Sequence, residues 1–250
     1  MMRLSAKRAT QVIANSNVTA DLALRNFGVA PERVTVIPHG YDTRPAPLTH
    51  KQSDETYQSP YNYKFPYLLC ISAIRRYKCL AELISGFAQV YRNESDPEQD
   101  WRLIIAGLIH NTEYEAELRA HVAKLGLRDR VIFLGAVSRT EIDRLLGGTL
   151  AMVYNSTCEN FPLPLLEAMA ANVPVACSRL PALLDVVGDA AITFEARVPN
   201  EIAAALRQLR DPALRAVLIT RGQARLTHFE RWEQTAERMR VVLAKAVSNG

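Results

Sequence analysis

Cysteine is scarce. The 250 residues hold only Cys70, Cys79, Cys158 and Cys177, with no Cys-x-x-Cys pair and no histidine at metal-ligand spacing. That argues against a zinc centre and reads as four reduced thiols. Long apolar runs are also missing. Nothing approaches the roughly 18 residues a spanning helix needs, and the opening Met-Met-Arg-Leu-Ser-Ala-Lys-Arg lacks the apolar core of a signal peptide. The expectation is a cytoplasmic protein with no membrane span. Nor does one sign of charge dominate: 30 basic and 26 acidic residues leave +4, and the basic ones, mostly arginine, are scattered, so nucleic-acid binding is not indicated. Among the 11 glycines, none form a Gly-x-Gly-x-x-Gly after the first strand of the main domain. The close backbone approach that nicotinamide-dependent Rossmann oxidoreductases use is therefore absent.

What remains is a chain with 48% hydrophobic residues, long enough for one large domain or two small ones. From Tyr67 onward, short apolar runs alternate with amphipathic stretches, the pattern of a parallel sheet covered by helices on both faces. Strands are expected near Tyr67–Ser72, Leu103–Gly107, Val131–Leu134, Leu150–Tyr154, Val173–Cys177 and Ala191–Phe194. Helices fit Leu80–Tyr91, Glu113–Leu125, Thr140–Leu146, Pro164–Ala171 and Asn200–Leu209. The fold class is α/β, a doubly wound Rossmann-like domain over residues 67–228.

Residues 1–43 form a separate segment. Thr10–Asn15 reads as a strand, Thr19–Phe27 as a helix closed by Gly28, and Val34–Ile37 as a strand running into Pro38-His39-Gly40. Residues 44–66, rich in Pro, Ser, Gln and Tyr, have no sustained period and read as a linker. Its tyrosines (Tyr57, Tyr61, Tyr63, with Tyr67) are expected to pack on the domain rather than to form a partner surface. Residues 229–250 hold one amphipathic helix with Trp232, Ala236, Met239, Val242 and Leu243 at helical spacing, and an uncovered apolar face there invites self-association.

The most informative segment is Glu159-Asn160-Phe161-Pro162-Leu163-Pro164-Leu165-Leu166-Glu167, two carboxylates bracketing an apolar stretch. Ionised carboxylates are costly to desolvate, so these mark a solvated rim or a site. In a doubly wound sheet, ligands bind beyond the carboxyl ends of the strands where the order reverses, between the first and fourth. The first strand runs into Ala73-Ile74-Arg75-Arg76-Tyr77-Lys78 and the fourth into Asn155 through Phe161. A basic loop and an acidic loop thus meet, the makings of a phosphate site beside a polyol site. The amides opening the helix after Asn160 are expected to add partial positive charge there.

These residues resemble the C-terminal, donor-binding domain of the retaining GT-B glycosyltransferases of family four. That family carries Glu-x7-Glu with a core Glu-Gly-Phe-Gly-Leu-Pro-x-Leu-Glu-Ala-Met-Ala; here Glu159 to Ala170 reads Glu-Asn-Phe-Pro-Leu-Pro-Leu-Leu-Glu-Ala-Met-Ala. Val36-Ile37-Pro38-His39-Gly40-Tyr41-Asp42 is similar to its linker signature, Val131-Ile132-Phe133-Leu134-Gly135 to its Val-x-Phe-Leu-Gly run, and Val173 to Leu183 to the segment after its acidic helix. The resemblance implies transfer of a hexose-type sugar from a nucleoside diphosphate sugar, with retention and with no metal or other cofactor. By it, Glu167 holds the ribose hydroxyls, Glu159 meets the hexose, and Gly135, Ala136 and Val137 line the base. Lys78 grips the diphosphate and supports it as it leaves, while Ser72, Asn160, Phe161 and Leu163 complete the donor site.

Departures from the pattern matter. Ser72-Ala73 stands where the family has Gly-Arg, so a second diphosphate cation is missing and Arg75 or Arg76 is the expected substitute. Pro162 replaces the second glycine of the motif and deletes a backbone donor. The chain opens at what resembles the last strand and helix before the family's interdomain crossover, so an N-terminal domain, or a separate acceptor-domain partner, is expected to be needed for turnover. The alternative is a catalytically silent fragment or interaction module. Contact with a membrane surface stays open.

Overall fold

The computed structural model describes residues 2–42, 63, 65–91 and 101–248. Most of the expected linker, including Tyr57 and Tyr61, lies outside them. The elements run α1 (Met2–Arg8), β1 (Val12–Ala14), α2 (Asn17–Phe27), β2 (Val34–Val36), β3 (Tyr67–Ile71), α3 (Leu80–Tyr91), β4 (Arg102–Ala106), α4 (Thr112–Lys124), β5 (Val131–Gly135), α5 (Arg139–Gly148), β6 (Ala151–Tyr154), α6 (Leu163–Ala170), β7 (Val175–Ser178), α7 (Pro181–Val187), β8 (Ala191–Phe194), α8 (Pro199–Gln208), α9 (Pro212–Leu226) and α10 (Trp232–Ser248).

Strands β3 to β8 form a parallel sheet in the order β5-β4-β3-β6-β7-β8. Numbered within the sheet this is 3-2-1-4-5-6, with the reversal between β3 and β6. Its strands read as unbroken apolar runs because both faces are covered, and alternate residues enter opposite cores. Leu68, Cys70, Leu103, Ile105 and Val153 pack under α3, α4 and α8; Tyr67, Leu69, Ile104, Met152 and Cys177 pack under α5, α6 and α7. Tyr63 and Tyr67 pack against the domain as expected: their rings meet edge-on at 5.9 Å, and the Tyr67 hydroxyl donates to the Leu145 carbonyl.

Three helices went unread in the sequence: α1, α7 and α9. Helix α7 is seven residues of nearly uniform apolar character, without a polar face to mark a period. Helix α9 carried a start signal, Asp211 capping the Ala213 N–H with Pro212 in the first turn.

Strands β1 and β2 form a second, two-stranded parallel sheet. Ser16 caps α2 by accepting from the Thr19 N–H, and Gly28 closes it. The chain then passes over the start of α10, where a Cβ on Gly40 would lie 2.5 Å from the Trp232 nitrogen, so only glycine fits. Helix α10 is held by polar ties: the Tyr41 N–H donates to the Glu230 carbonyl, the Arg238 guanidinium to that of Val36, and Thr235 is its one buried residue. Its apolar face is left open, with Val241 56% and Leu243 60% exposed. Among the described residues no helix is long and apolar enough to cross a membrane.

Candidate functional site

The loops after β3 and β6 are sewn together at the switch point. The Tyr77 carbonyl accepts from the Thr157 N–H (2.8 Å), the Thr157 hydroxyl (3.2 Å) and the Ser156 hydroxyl (3.3 Å). Asn155, fully buried, donates its amide to the Cys79 carbonyl (2.9 Å) and to that of Ala196 (3.0 Å). Cys79 has a positive φ of 45° after the 3-10 turn Arg76–Lys78, an unfavourable conformation for a residue with a Cβ. The bond from Asn155 helps to hold it. That turn drives Lys78 inward, where the ammonium donates to the Tyr154 hydroxyl at 2.9 Å and forms an ion pair with Glu159. Burial, then the neighbouring carboxylate of Glu159, pushes the Tyr154 phenol far up, so it stays protonated.

Lys78 lines a cavity of about 440 Å³ with Ser72, Arg75, Tyr77, His110 and Tyr154. The loop after β4 forms its second wall. At Gly107 a Cβ would sit 2.2 Å from the Ser72 carbonyl oxygen, so the two backbones approach closely only because the residue is glycine. Ser72 itself is buried and donates its N–H to the Ala106 carbonyl.

The remaining expected residues spread along the same edge. Glu167 accepts from Arg139 of α5 at 2.6 Å, and Arg139 also lies 4.0 Å from Asp42 of the crossover. Gly135, Ala136 and Val137 leave the end of β5, where the Gly107 N–H donates to the Gly135 carbonyl; they and Glu167 stand beyond the cavity's lining. Arg76 turns onto α4, making two bonds to Glu117 of 2.9 and 2.6 Å and covering the Tyr114 ring. The Asn160 carbonyl accepts from the Ser16 hydroxyl, and Phe161 packs edge-on to His39 at 5.2 Å, with Leu163 next in the opening turn of α6. His39 thus packs the crossover against the acidic segment, and burial lowers its pKa.

One expectation is corrected. Helix α6 does not present an open set of amides: Pro162 precedes it and Pro164 is its second residue, neither with an N–H. The Leu163 N–H is donated to Phe161 and the Leu165 N–H to Pro162. The local turn already uses what the prolines leave. Sequence reading also missed four residues. Tyr154 and Asn155 end the fourth strand and could have been placed from topology; His110 follows from strand register. Arg139 gave no signal.

A doubly wound sheet of this order with these loops at its switch point is the fold of the GT-B glycosyltransferases. Sucrose-phosphate synthase from Thermosynechococcus elongatus superposes with a TM-score of 0.83 at 22% identity, covering 100% of this chain and 61% of that one. Anabaena HepE in complex with UDP and glucose gives 0.80 at 21%, covering 97% and 65%. At such identities the likeness concerns the fold. The chain belongs to the glycosyl transferases group 1 family, whose model matches residues 52–225; residues 1–44 match Glycosyltransferase Family 4. It is 28% identical over 253 residues to the MMP alpha-(1->4)-mannosyltransferase of Mycolicibacterium hassiacum, spanning 99% of this chain and 57% of that protein. It is 28% identical over 192 residues to the O-antigen chain mannosyltransferase RfbU of Salmonella typhimurium, spanning 77% and 48%. The chain thus spans about half the length of these curated relatives.

Proposed function

We propose that this chain is the donor-binding half of a retaining glycosyltransferase that moves a hexose-type sugar from a nucleoside diphosphate sugar to an acceptor hydroxyl. The observation that carries the reading is Lys78, held against Glu159 and Tyr154 at the wall of the switch-point cavity. On this reading the sugar's anomeric C–O bond breaks and the nucleoside diphosphate leaves with the electron pair. Lys78 stabilises the charge that develops on its phosphate, Glu159 exchanges its ammonium partner for sugar hydroxyls, and Glu167 takes the ribose. The acceptor oxygen bonds to the anomeric carbon on the same face and gives up its proton to the departing phosphate. The reading needs no metal and no cofactor, and it gives the acceptor to an N-terminal domain or a partner. UDP in the HepE complexes and the mannosyltransferase relatives support a nucleotide-sugar donor.

Titration calorimetry with UDP, GDP and ADP tests it. One of them is expected to bind, with roughly tenfold or greater weakening in Lys78→Ala and Glu167→Ala. No binding by any of the three, or binding indifferent to both changes, overturns the assignment. The second reading, a silent module, is favoured by the two prolines that strip α6 of amides. Donor binding without hydrolysis or transfer, in the presence of an acceptor domain, would establish it.

A further inference from the structure

A neutral side chain stands between the charges of the cavity. Tyr154 ends β6, is 3% exposed, and lines the cavity wall beside Lys78. The Lys78 ammonium donates to its hydroxyl at 2.9 Å and to the Glu159 carboxylate. It also lies 4.8 Å from the centre of the Tyr154 ring and 5.4 Å from that of Tyr77. An ammonium carries three N–H donors. With two spent on Tyr154 and Glu159, its tetrahedral geometry fixes the direction of the third.

The two partners of the ammonium differ in how they are held. Tyr154 belongs to the sheet, in register with Cys177 of β7, and its ring is part of the core under α5, α6 and α7. Glu159 stands on the irregular segment between β6 and α6, and side chains on such segments move more readily than those packed in a core strand. The phenol accepts from Lys78 and keeps its own proton, for which the Glu159 carboxylate is an acceptor; a hydroxyl can do both at once. In the function proposed above, Glu159 leaves the ammonium for the hydroxyls of the sugar. Parting a buried ion pair is costly when either charge is left without a polar partner.

We infer that Tyr154 is a positioning residue, whose hydroxyl keeps the Lys78 ammonium in place on the cavity wall while Glu159 turns to the sugar. The role rests on the function proposed above, in which the donor separates the two charges. It divides ligands into two kinds. A nucleoside diphosphate without a hexose leaves Glu159 on Lys78, and the ammonium keeps both partners. A nucleotide sugar draws Glu159 off, and the strand-borne phenol is then what holds the ammonium. Binding of the nucleotide sugar therefore depends on the hydroxyl more than binding of the nucleoside diphosphate does.

Calorimetry on the full chain carrying Tyr154→Phe tests this, because the variant keeps the ring and its contact with the ammonium and removes one oxygen. Probes are UDP, GDP and ADP, each beside its sugar conjugate: UDP-glucose, GDP-mannose and ADP-glucose. For the base that the wild type binds, Tyr154→Phe is expected to weaken the nucleotide sugar about tenfold and the nucleoside diphosphate less than about threefold. In a Glu159→Gln background, where no ion pair has to be parted, the same change should weaken the nucleotide sugar less than about threefold. The ratio of two affinities is read on one protein, so a general loss of stability does not imitate the result. Equal weakening of both ligands, or of neither, overturns the positioning role and keeps the donor site. A tenfold loss that persists in Glu159→Gln also overturns it, since the hydroxyl then acts on the sugar directly. No binding of any probe by the wild type overturns the proposed function, and this role with it.

Discussion

Glu159 and Glu167 belong to one short segment and are similarly covered, with side chains 12% and 15% exposed, but their cations differ. Lys78 is 8% exposed while Arg139 is 55% exposed. The first pair lies under loops tied by Tyr77 and Asn155; the second reaches in from the first turn of a surface helix. Coulomb attraction rises steeply as water is excluded. Without a donor the Lys78 end is therefore the more firmly held, and the Arg139 end is a contact that salt alone can open.

The sharpest way to break this contrast is a double-mutant cycle at the buried end. Lys78→Met strands the Glu159 carboxylate and is expected to cost about 2–3 kcal/mol in urea unfolding, less than a wholly buried pair because the cavity admits water. Adding Glu159→Leu should recover more than half of that loss. A single variant within about 0.5 kcal/mol of wild type would show that burial is not what distinguishes the two ends.

Next in size is the staple. Asn155→Ala removes donors to the Cys79 and Ala196 carbonyls, of which Cys79 keeps the Leu83 N–H, at a cost of about 1–2 kcal/mol. If the staple sets the position of Lys78, the variant also weakens nucleoside diphosphate binding. Unchanged binding with lowered stability would confine Asn155 to the fold.

The same contrast governs what could be read from the chain. Buried parallel strands write themselves as apolar runs, so all six strands and the meeting of the β3 and β6 loops were legible, and with them the neighbourhood of Lys78 and Glu159. The partner of Glu167 was not: Arg139 is 28 positions away on an exposed helix, among many arginines. His110 was hidden because its place depends on a ladder that continues beyond the strands. The prolines were visible, but how completely the turn consumes the remaining amides depends on backbone angles. In α10 the apolar spacing was correct, yet Thr235, not the apolar stripe, is the buried contact.

At the exposed end, the Arg139–Glu167 cycle should give no more than about 0.5–1 kcal/mol, falling further in 1 M salt. Arg139→Ala removes one partner of Glu167. Under the proposed function it should leave nucleoside diphosphate affinity equal to wild type or tighter, and the preference for ribose over 2′-deoxyribose intact. A tenfold loss would make Arg139 itself a ligand-binding residue and end the contrast.

The smallest effect belongs to Arg76 and Glu117, which extend the comparison to a pair with both partners in water. The hydrogen bond from Arg76 lowers the Glu117 pKa. A depressed carboxylate contributes stability above its unfolded pKa and loses it as pH falls through the folded one. Any contribution is thus present at neutral pH and disappears in acid. Because the pair is exposed, Glu117→Gln should leave the urea midpoint at pH 7 unchanged within error. The informative readout is the carboxylate's own NMR titration. Its midpoint should lie below that of an unpaired glutamate and return to the ordinary range in Arg76→Ala. An unshifted midpoint in the wild type would mean that Arg76 spends its time elsewhere. The cavity, already lined by Arg75, Lys78 and His110, would then have Arg76 within reach as well.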